Sequence, residues 1–316
     1  MDAFKILDPG GYTTVQDKGR YGYQHMGGPI SGSLDTFAFQ VANILVGNIG
    51  NAAVLEITVI GPLIEFLVDA DIALTGAEME ISINGQPVEE WRSLRVKPGD
   101  VLAIQQIKSG CRAYLAISGG IDVPEVMGSY STYVGGKFGG FHGRPLKKGD
   151  ILRCKEVQLL VKQRKIDSSM IPGYPSEIVI RAIPGPQDIF FDEGSNVFFS
   201  SEYIVTAKTD RMGIRLQGPS IHIKESMPKS IISEPSMPGG IQIPADEQPI
   251  ILLVEQTMGG YAKIATVISS DLQRLAQTTP GDLIQFEKVD LEFAHLLFIE
   301  EKNRINTIQS ICSAKK

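Results

Sequence analysis

The stretch "VLAIQQIKSGCRAYLAISGGID", residues 101–122, falls on "IILLVEQTMGGYAKIATVISSD", residues 250–271, when the chain is slid by 149 residues. Gly110 meets Gly259, Ala113 meets Ala262, Ala116 meets Ala265 and Asp122 meets Asp271, and the apolar run 101–104 falls on the apolar run 250–253. Matching β-branched runs at a fixed shift predict one strand-rich unit used twice. Working outward, "VIGPLIEF" (59–66) falls on "LQGPSIHI" (216–223), and Gly149-Asp150 falls on Gly281-Asp282. The shift drops from 149 to 132 residues, so the first copy carries 17 extra residues, placed by "GSYSTYVGGKFGGFHGR". The expected organisation is a first β unit over 1–160 with a Gly-rich insertion, a second over 176–290, and a helical tail over 291–316.

The rest of the chain agrees with a mainly β protein with few short helices. Asn84-Gly85 inside "EISINGQPV" is a hairpin signal. "VKPGDVLAI", "LKKGDILRC" and "TTPGDLIQF" each turn at Gly-Asp into an apolar strand, a structural use of Asp100, Asp150 and Asp282. Leu34, Phe37, Ala38, Val41, Ala42 and Leu45 follow the spacing of one buried helical face, with Ser33 as N-cap and Gly47 as stop. "SSDLQRLAQ" predicts a second helix with a Ser270/Gln273 capping box, and "LEFAHLLFIEEKNRIN" a third.

Composition narrows the function. Across 316 residues, 43% are hydrophobic and 21% charged, as in globular proteins, and two domains fit this length. The net charge of −6 gives a nucleic-acid role no electrostatic footprint. "MDAFKILDPGG" has no signal-peptide pattern, and no apolar run reaches membrane-spanning length. Three scattered cysteines and four scattered histidines predict neither a disulfide framework nor a metal site. The expectation is a reduced, cytoplasmic protein with a small-molecule substrate, without nucleic-acid or membrane partners, and with strand edges that allow a homo-oligomer.

Candidate site residues cluster in two places. The loop "TTVQDKGRYGYQHMGGPISGSLD" (13–35) puts Gln16, Asp17, Arg20, His25 and Asp35 among five glycines. Arginine grips carboxylate or phosphate in a bidentate way, and aspartate orients it, accepts a proton or holds a cation. Asp35 also suits the first turn of its helix. The second copy offers "TAKTDRMGIRLQG", where adjacent Asp210 and Arg211 must each pair elsewhere. It also offers Gln242 in "PGGIQIP", Lys263 in "GGYAKIATV" and Gln277 at the end of the second helix. Lys263 either reaches solvent from a half-exposed strand or faces an anion from a buried one; Gln277 reads as a surface amide. "GGKFGGFHGR" lacks phosphate-loop spacing and reads as a mobile flap whose Lys137, His142 and Arg144 are able to meet an anion.

The 13–35 loop, "ANILVGN", "ALTGAE", "YLAISGGIDVPEVMGSYST", "GRPLKKGD", "TDRMGIRLQGP" and "GGYAKIATVISSDLQRLAQTTPGD" together resemble one family. It is that of the C subunit of 5-oxoprolinase, also called KipA-like or allophanate hydrolase subunit 2-like, with relatives in the carboxyltransferase region of biotin-dependent urea carboxylase. The resemblance implies duplicated cyclophilin-like β-barrels. It implies an ATP-dependent 5-oxoprolinase in which the enzyme's B subunit (KipI-like) and its A subunit are partners, with ATP and Mg²⁺ activating the lactam. Asp17, Arg20, Asp210, Arg211 and Lys263 are then the catalytic candidates, and Gln16, Asp35, Arg144, Gln242 and Gln277 the binding ones. The density of motifs, rather than the resemblance, suggests that Gln16, Asp17, Arg20 and Asp35 face Asp210, Arg211, Gln242, Lys263 and Gln277 across a cleft. A pair of Asp side chains would hold the nucleotide's Mg²⁺. The alternatives within the resemblance are a carboxyltransferase component served by biotin on a separate carrier, and a KipA-type protein that counters a kinase inhibitor.

Overall fold

The computed structural model describes residues 1–48 and 50–314. Ten strands make up the sheet of the first unit: β1 (Asp2–Asp8), β2 (Tyr12–Gln16), β3 (Val54–Thr58), β4 (Leu63–Phe66), β5 (Ala70–Ile83), β6 (Gln86–Pro87), β7 (Ser93–Val96), β8 (Val101–Ile117), β9 (Ile121–Asp122) and β10 (Ile151–Cys154). Helix α1 (Thr36–Val46) packs on it. The second unit carries β11 (Glu177–Pro184), α2 (Glu193–Ser200), β12 (Glu202–Val205), β13 (Gly213–Gln217), β14 (Glu234–Pro235), β15 (Gly240–Ile243), β16 (Ile250–Leu252), β17 (Met258–Gly259), β18 (Ala262–Val267), α3 (Leu272–Leu275) and β19 (Leu283–Lys288). Helix α4 (Leu291–Ala314) ends the described chain. Residues 22–30 of the Gly-rich loop belong to the second unit, while α4 divides between the units at Lys302/Asn303.

In the first unit the sheet runs β2-β3-β8-β4-β1-β10-β9, with β5 paired to β6, β7 and β8. The long β8 serves two neighbours on one edge: Arg112–Leu115 pair with β3, and Val101–Ala103 with β4. Ile6, Leu55, Ile57, Ile64, Ile72 and Leu152 fill its core. In the second unit β11-β18-β15-β16-β13-β12-β19 close into a barrel. Phe198 stacks on Phe286 at 4.4 Å between centroids, and Tyr203 packs beside both.

Local signals were followed closely. Asn84 (φ 52°) and Gly85 (φ 77°) make the expected hairpin turn, which needs positive φ at both positions. Asp100, Asp150 and Asp282 each accept the backbone N–H three residues earlier, at 2.8, 2.7 and 2.7 Å. The predicted face of α1 is buried against Trp91, Ile166 and Ile308, and Gly47 terminates it with φ 79°.

Four expectations are corrected. The N-cap of α1 is Asp35, not Ser33: Asp35 Oδ1 accepts from Ala38 N at 2.8 Å. The capping box at Ser270/Gln273 does not form, since Ser270 Oγ and Gln273 Oε1 are buried without partners. The repeat is imperfect: residues of the single strand β8 correspond to three short strands, β16, β17 and β18, interrupted at 253–257 and at 260–261. Its terminal strands also pair differently, β10 antiparallel to β1 but β19 parallel to β11. The Gly-rich insertion is packed in place. A Cβ on Gly140 would stand 1.8 Å from Thr132 Oγ1, and one on Gly143 2.1 Å from the Lys137 carbonyl carbon, so glycine here permits close approach rather than motion.

Candidate functional site

In the first unit, the Gly-rich loop is anchored by a buried carboxylate. Asp17 Oδ1 accepts from Gly19 N (2.8 Å), Ser129 Oγ (2.7 Å) and Ser131 Oγ, while Oδ2 accepts from Tyr130 N (2.8 Å) and Asn51 Nδ2 (2.6 Å). Five donors on one fully buried group tie residues 129–131 to the loop. Arg20, also fully buried, lies 4.8 Å over the Phe138 ring and donates Nε to Val126 O and Nη2 to Ser131 O. Its Nη1 has no partner, and burial lowers its pKa against the opposing pull of Asp17. Gly139 makes room for it, since a Cβ there would stand 2.9 Å from Nη2. Beside this, Gln16 donates to Thr14 Oγ1 and Thr132 O and leaves Oε1 without a donor.

Asp35 caps its helix, and its backbone N–H donates to Tyr114 Oη, which in turn donates to Glu56 at 2.8 Å. Burial, then the neighbouring Glu56 and Asp35 charges, push the Tyr114 hydroxyl well above its usual pKa. Arg144 is held by Asp150 at 2.7 and 2.8 Å.

The expected Mg²⁺-holding pair does not fit. Asp17 spends both oxygens on five donors, Asp35 spends one on its helix, and no group of three or more His, Cys, Asp or Glu side chains among the described residues could hold a metal ion.

The second unit gathers a different set. Gln242 and Lys263 are register partners on β15 and β18, so their side chains share a face of the barrel wall. Lys263 Nζ donates to Glu234 at 2.7 Å; the lysine side chain is 6% exposed and the glutamate 40%. The bond to Lys263 holds the Glu234 carboxyl below its usual range. Gln187 brackets this pair, accepting from Lys263 N at 3.0 Å and reaching Glu234 at 3.4 Å. Lys263 is therefore the buried lysine facing an anion, and the solvent-reaching reading is set aside. The β14–β17 ribbon brings Glu234 and Ser236 to this face, and Gln24 of the Gly-rich loop donates to Ser236 O at 3.0 Å.

Arg211 pairs with Glu255 at 2.6 Å, both buried, while exposed Asp210 accepts from Met212 N and Gly213 N. Each member of the adjacent pair thus bonds elsewhere. Gln277 is buried, not a surface amide. The ten candidates fall into two sets: Gln16, Asp17, Arg20, Asp35 and Arg144 in the first unit, Asp210, Arg211, Gln242, Lys263 and Gln277 in the second. Sequence reading missed Gln187, Glu234, Ser236 and Glu255, which lie in loops or a two-residue ribbon with no periodicity or motif to mark them.

These features define a β-barrel protein with a buried lysine paired to a half-exposed carboxylate, and a buried amide beside it, on the wall of its second unit. The chain belongs to the carboxyltransferase domain family, subdomain A and B, which it matches over residues 26–288. It is 40% identical to the C subunit of 5-oxoprolinase from Escherichia coli, over 92% of both chains. It is 34% identical to the C subunit of 5-oxoprolinase from Haemophilus influenzae, over 98% of this chain and 99% of that one. Among solved structures, urea carboxylase of Kluyveromyces lactis matches 97% of this chain with a TM-score of 0.91 and 33% identity, the match spanning 29% of that larger chain. No helix among the described residues is long and apolar enough to cross a membrane.

Proposed function

We propose that this chain is the C subunit of an ATP-dependent 5-oxoprolinase, acting with separate A and B subunits to open 5-oxoproline to glutamate. One observation carries the reading: the likeness to the Escherichia coli C subunit extends over 92% of both chains at 40% identity, so most of each chain corresponds to the other. ATP with Mg²⁺, bound in the complex rather than by Asp17 and Asp35, would supply the phosphoryl group that activates the lactam oxygen. This chain's residues contribute charge and polar contacts. Lys263, buried and poised on a displaceable carboxylate, offers positive charge to a substrate anion or to charge developing on the lactam oxygen. Gln242 beside it addresses the substrate's polar edge. Asp17 and Arg20 hold the Gly-rich loop in shape, and Gln24 of that loop supports the ribbon carrying Glu234.

The test is glutamate release from 5-oxoproline with ATP and Mg²⁺ by this chain mixed with the A and B subunits, omitting each in turn. The reading expects release only when all three are present. A formed complex without turnover overturns it.

A second reading is favoured by the TM-score of 0.91 to urea carboxylase: carboxyl transfer from biotin on a separate carrier. It predicts carboxylation of an amide-bearing acceptor when a biotin carboxylase and its carrier replace the A and B subunits.

A further inference from the structure

Two acceptors under the β14–β17 ribbon have nothing to accept. Gln242 Oε1 and Ser236 Oγ belong to residues only 7% and 2% exposed, and neither atom has a hydrogen-bond partner. They converge on one spot. A Cβ built on Gly259 would stand 3.2 Å from each, with no other heavy atom beyond its chain neighbours within 4 Å. Buried polar atoms are nearly always paired, and leaving them unpaired is costly. The ribbon is otherwise well tied down, by Ser236 N to Thr257 O at 2.9 Å, Ile231 N to Gly260 O at 2.8 Å, and Gln24 Nε2 to Ser236 O.

The neighbouring charge pair is lopsided. Lys263 is shut in and Glu234 stands half in solvent. A carboxylate so placed leaves for water easily, whereas the ammonium has nowhere to go and needs a replacement anion.

We infer that the space between Gln242, Ser236, Gly259 and Lys263 takes a small ligand bearing an N–H donor next to an anionic group. The N–H donates to Gln242 Oε1 and Ser236 Oγ. The anion takes Lys263 Nζ, and Glu234 is the counter-ion it displaces. This deepens the 5-oxoprolinase reading and rests on it for the identity of the ligand: in 5-oxoproline the ring nitrogen and the carboxylate are held on the same ring carbon. Gly259 leaves the spot open, and a side chain there would fill it. For the ligand to enter, the ribbon must lift, which breaks the two-residue pairing of β14 with β17 together with the Ser236–Thr257, Ile231–Gly260 and Gln24–Ser236 bonds.

The test is calorimetric titration of the full-length chain with three probes: 5-oxoproline, its N-methyl derivative, and 2-pyrrolidinone, which keeps the N–H but lacks the carboxylate. 5-Oxoproline is expected to bind, and N-methylation or loss of the carboxylate each to weaken binding about tenfold or more, as for one buried hydrogen bond or ion pair removed. Gln242→Leu should shrink the N-methyl penalty to less than about threefold, and Ser236→Ala should reduce it in part. Glu234→Gln should tighten 5-oxoproline and leave 2-pyrrolidinone unchanged. Each penalty is a ratio of two probes on the same protein, so partial misfolding of one variant does not imitate the effect. Absence of 5-oxoproline binding, equal binding of the N-methyl probe, or an unchanged penalty in Gln242→Leu overturns the inference. Its failure is distinct from failure of the functional reading. Turnover by the three-component complex with no N–H preference sinks this site alone, and N–H preference without turnover sinks the oxoprolinase reading alone.

Discussion

Replacing Asp17 with Asn isolates what the buried carboxylate does. The amide nitrogen must occupy one of two oxygen positions. At Oδ2 it meets Tyr130 N–H and the Asn51 amide, whose own oxygen is taken by Lys18 N at 2.7 Å, so two donors are stranded. At Oδ1 it meets two serine hydroxyls, which can rotate to accept, and Gly19 N–H, which cannot. The second orientation wins, strands one donor, and turns the surviving bonds from charged to neutral. It also removes the negative charge acting on the buried Arg20 guanidinium. One stranded donor plus one uncompensated buried cation amounts to about 3–5 kcal/mol. The assay is urea unfolding followed by the fluorescence of Trp91, the chain's single tryptophan, which is buried in the same unit. The Asn variant should unfold at lower urea with an unchanged slope. A loss below about 1 kcal/mol would refute the anchoring argument, because it would mean these hydrogen bonds are replaced by water at no cost.

Further outcomes follow from the same contacts. Gly140→Ala, whose Cβ would stand 1.8 Å from Thr132 Oγ1, should cost about 3 kcal/mol or more, whereas Gly128→Ala, at φ 72° with nothing within 4 Å, should cost only the ~1–2 kcal/mol of left-handed backbone; the Trp91 assay measures both. Glu234→Gln, which keeps an acceptor for Lys263 Nζ but removes the opposing charge, should destabilise the second unit by about 1–2 kcal/mol, and Lys263→Met by less than about 1 kcal/mol, since Glu234 is then hydrated; thermal unfolding followed by circular dichroism ranks them. Glu90 has its carboxyl pushed up to about 7 by burial, with the Met79 N–H opposing and Glu78 adding. The fold therefore favours its neutral form, and that contribution is full below about pH 4.5 and is lost as pH rises through about 7. Glu90→Gln should flatten the decline in stability between those values in a pH series of urea midpoints.

The parts of the fold legible in the sequence are those set by neighbours along the chain. The buried face of α1 follows from 3.6-residue spacing, the Asn84-Gly85 turn from its backbone demands, and the three Gly-Asp turns from side-chain bonds three residues back. The cap at Asp35 was misplaced by two residues because Ser33 is equally suited by type. Ser33 N is instead used by Asp17 O, a contact the local sequence does not announce. The candidate site was legible in residue type and not in partnership. Lys263 meets Glu234 across 29 positions, Arg211 meets Glu255 across 44, and Asp17 meets Ser131 across 114. Bonds of that range depend on how strands are ordered in a sheet, and the differing partners of β10 and β19 show that even a sequence repeat does not set that order.

The most direct test of the account is the turnover of 5-oxoproline by the three-component complex carrying Lys263→Met, with assembly checked by light scattering. The account predicts a complex of normal mass whose glutamate release at low 5-oxoproline falls at least about tenfold, the loss expected when the charge that holds the substrate's carboxylate is removed. Release at the wild-type rate from that assembled complex would contradict it.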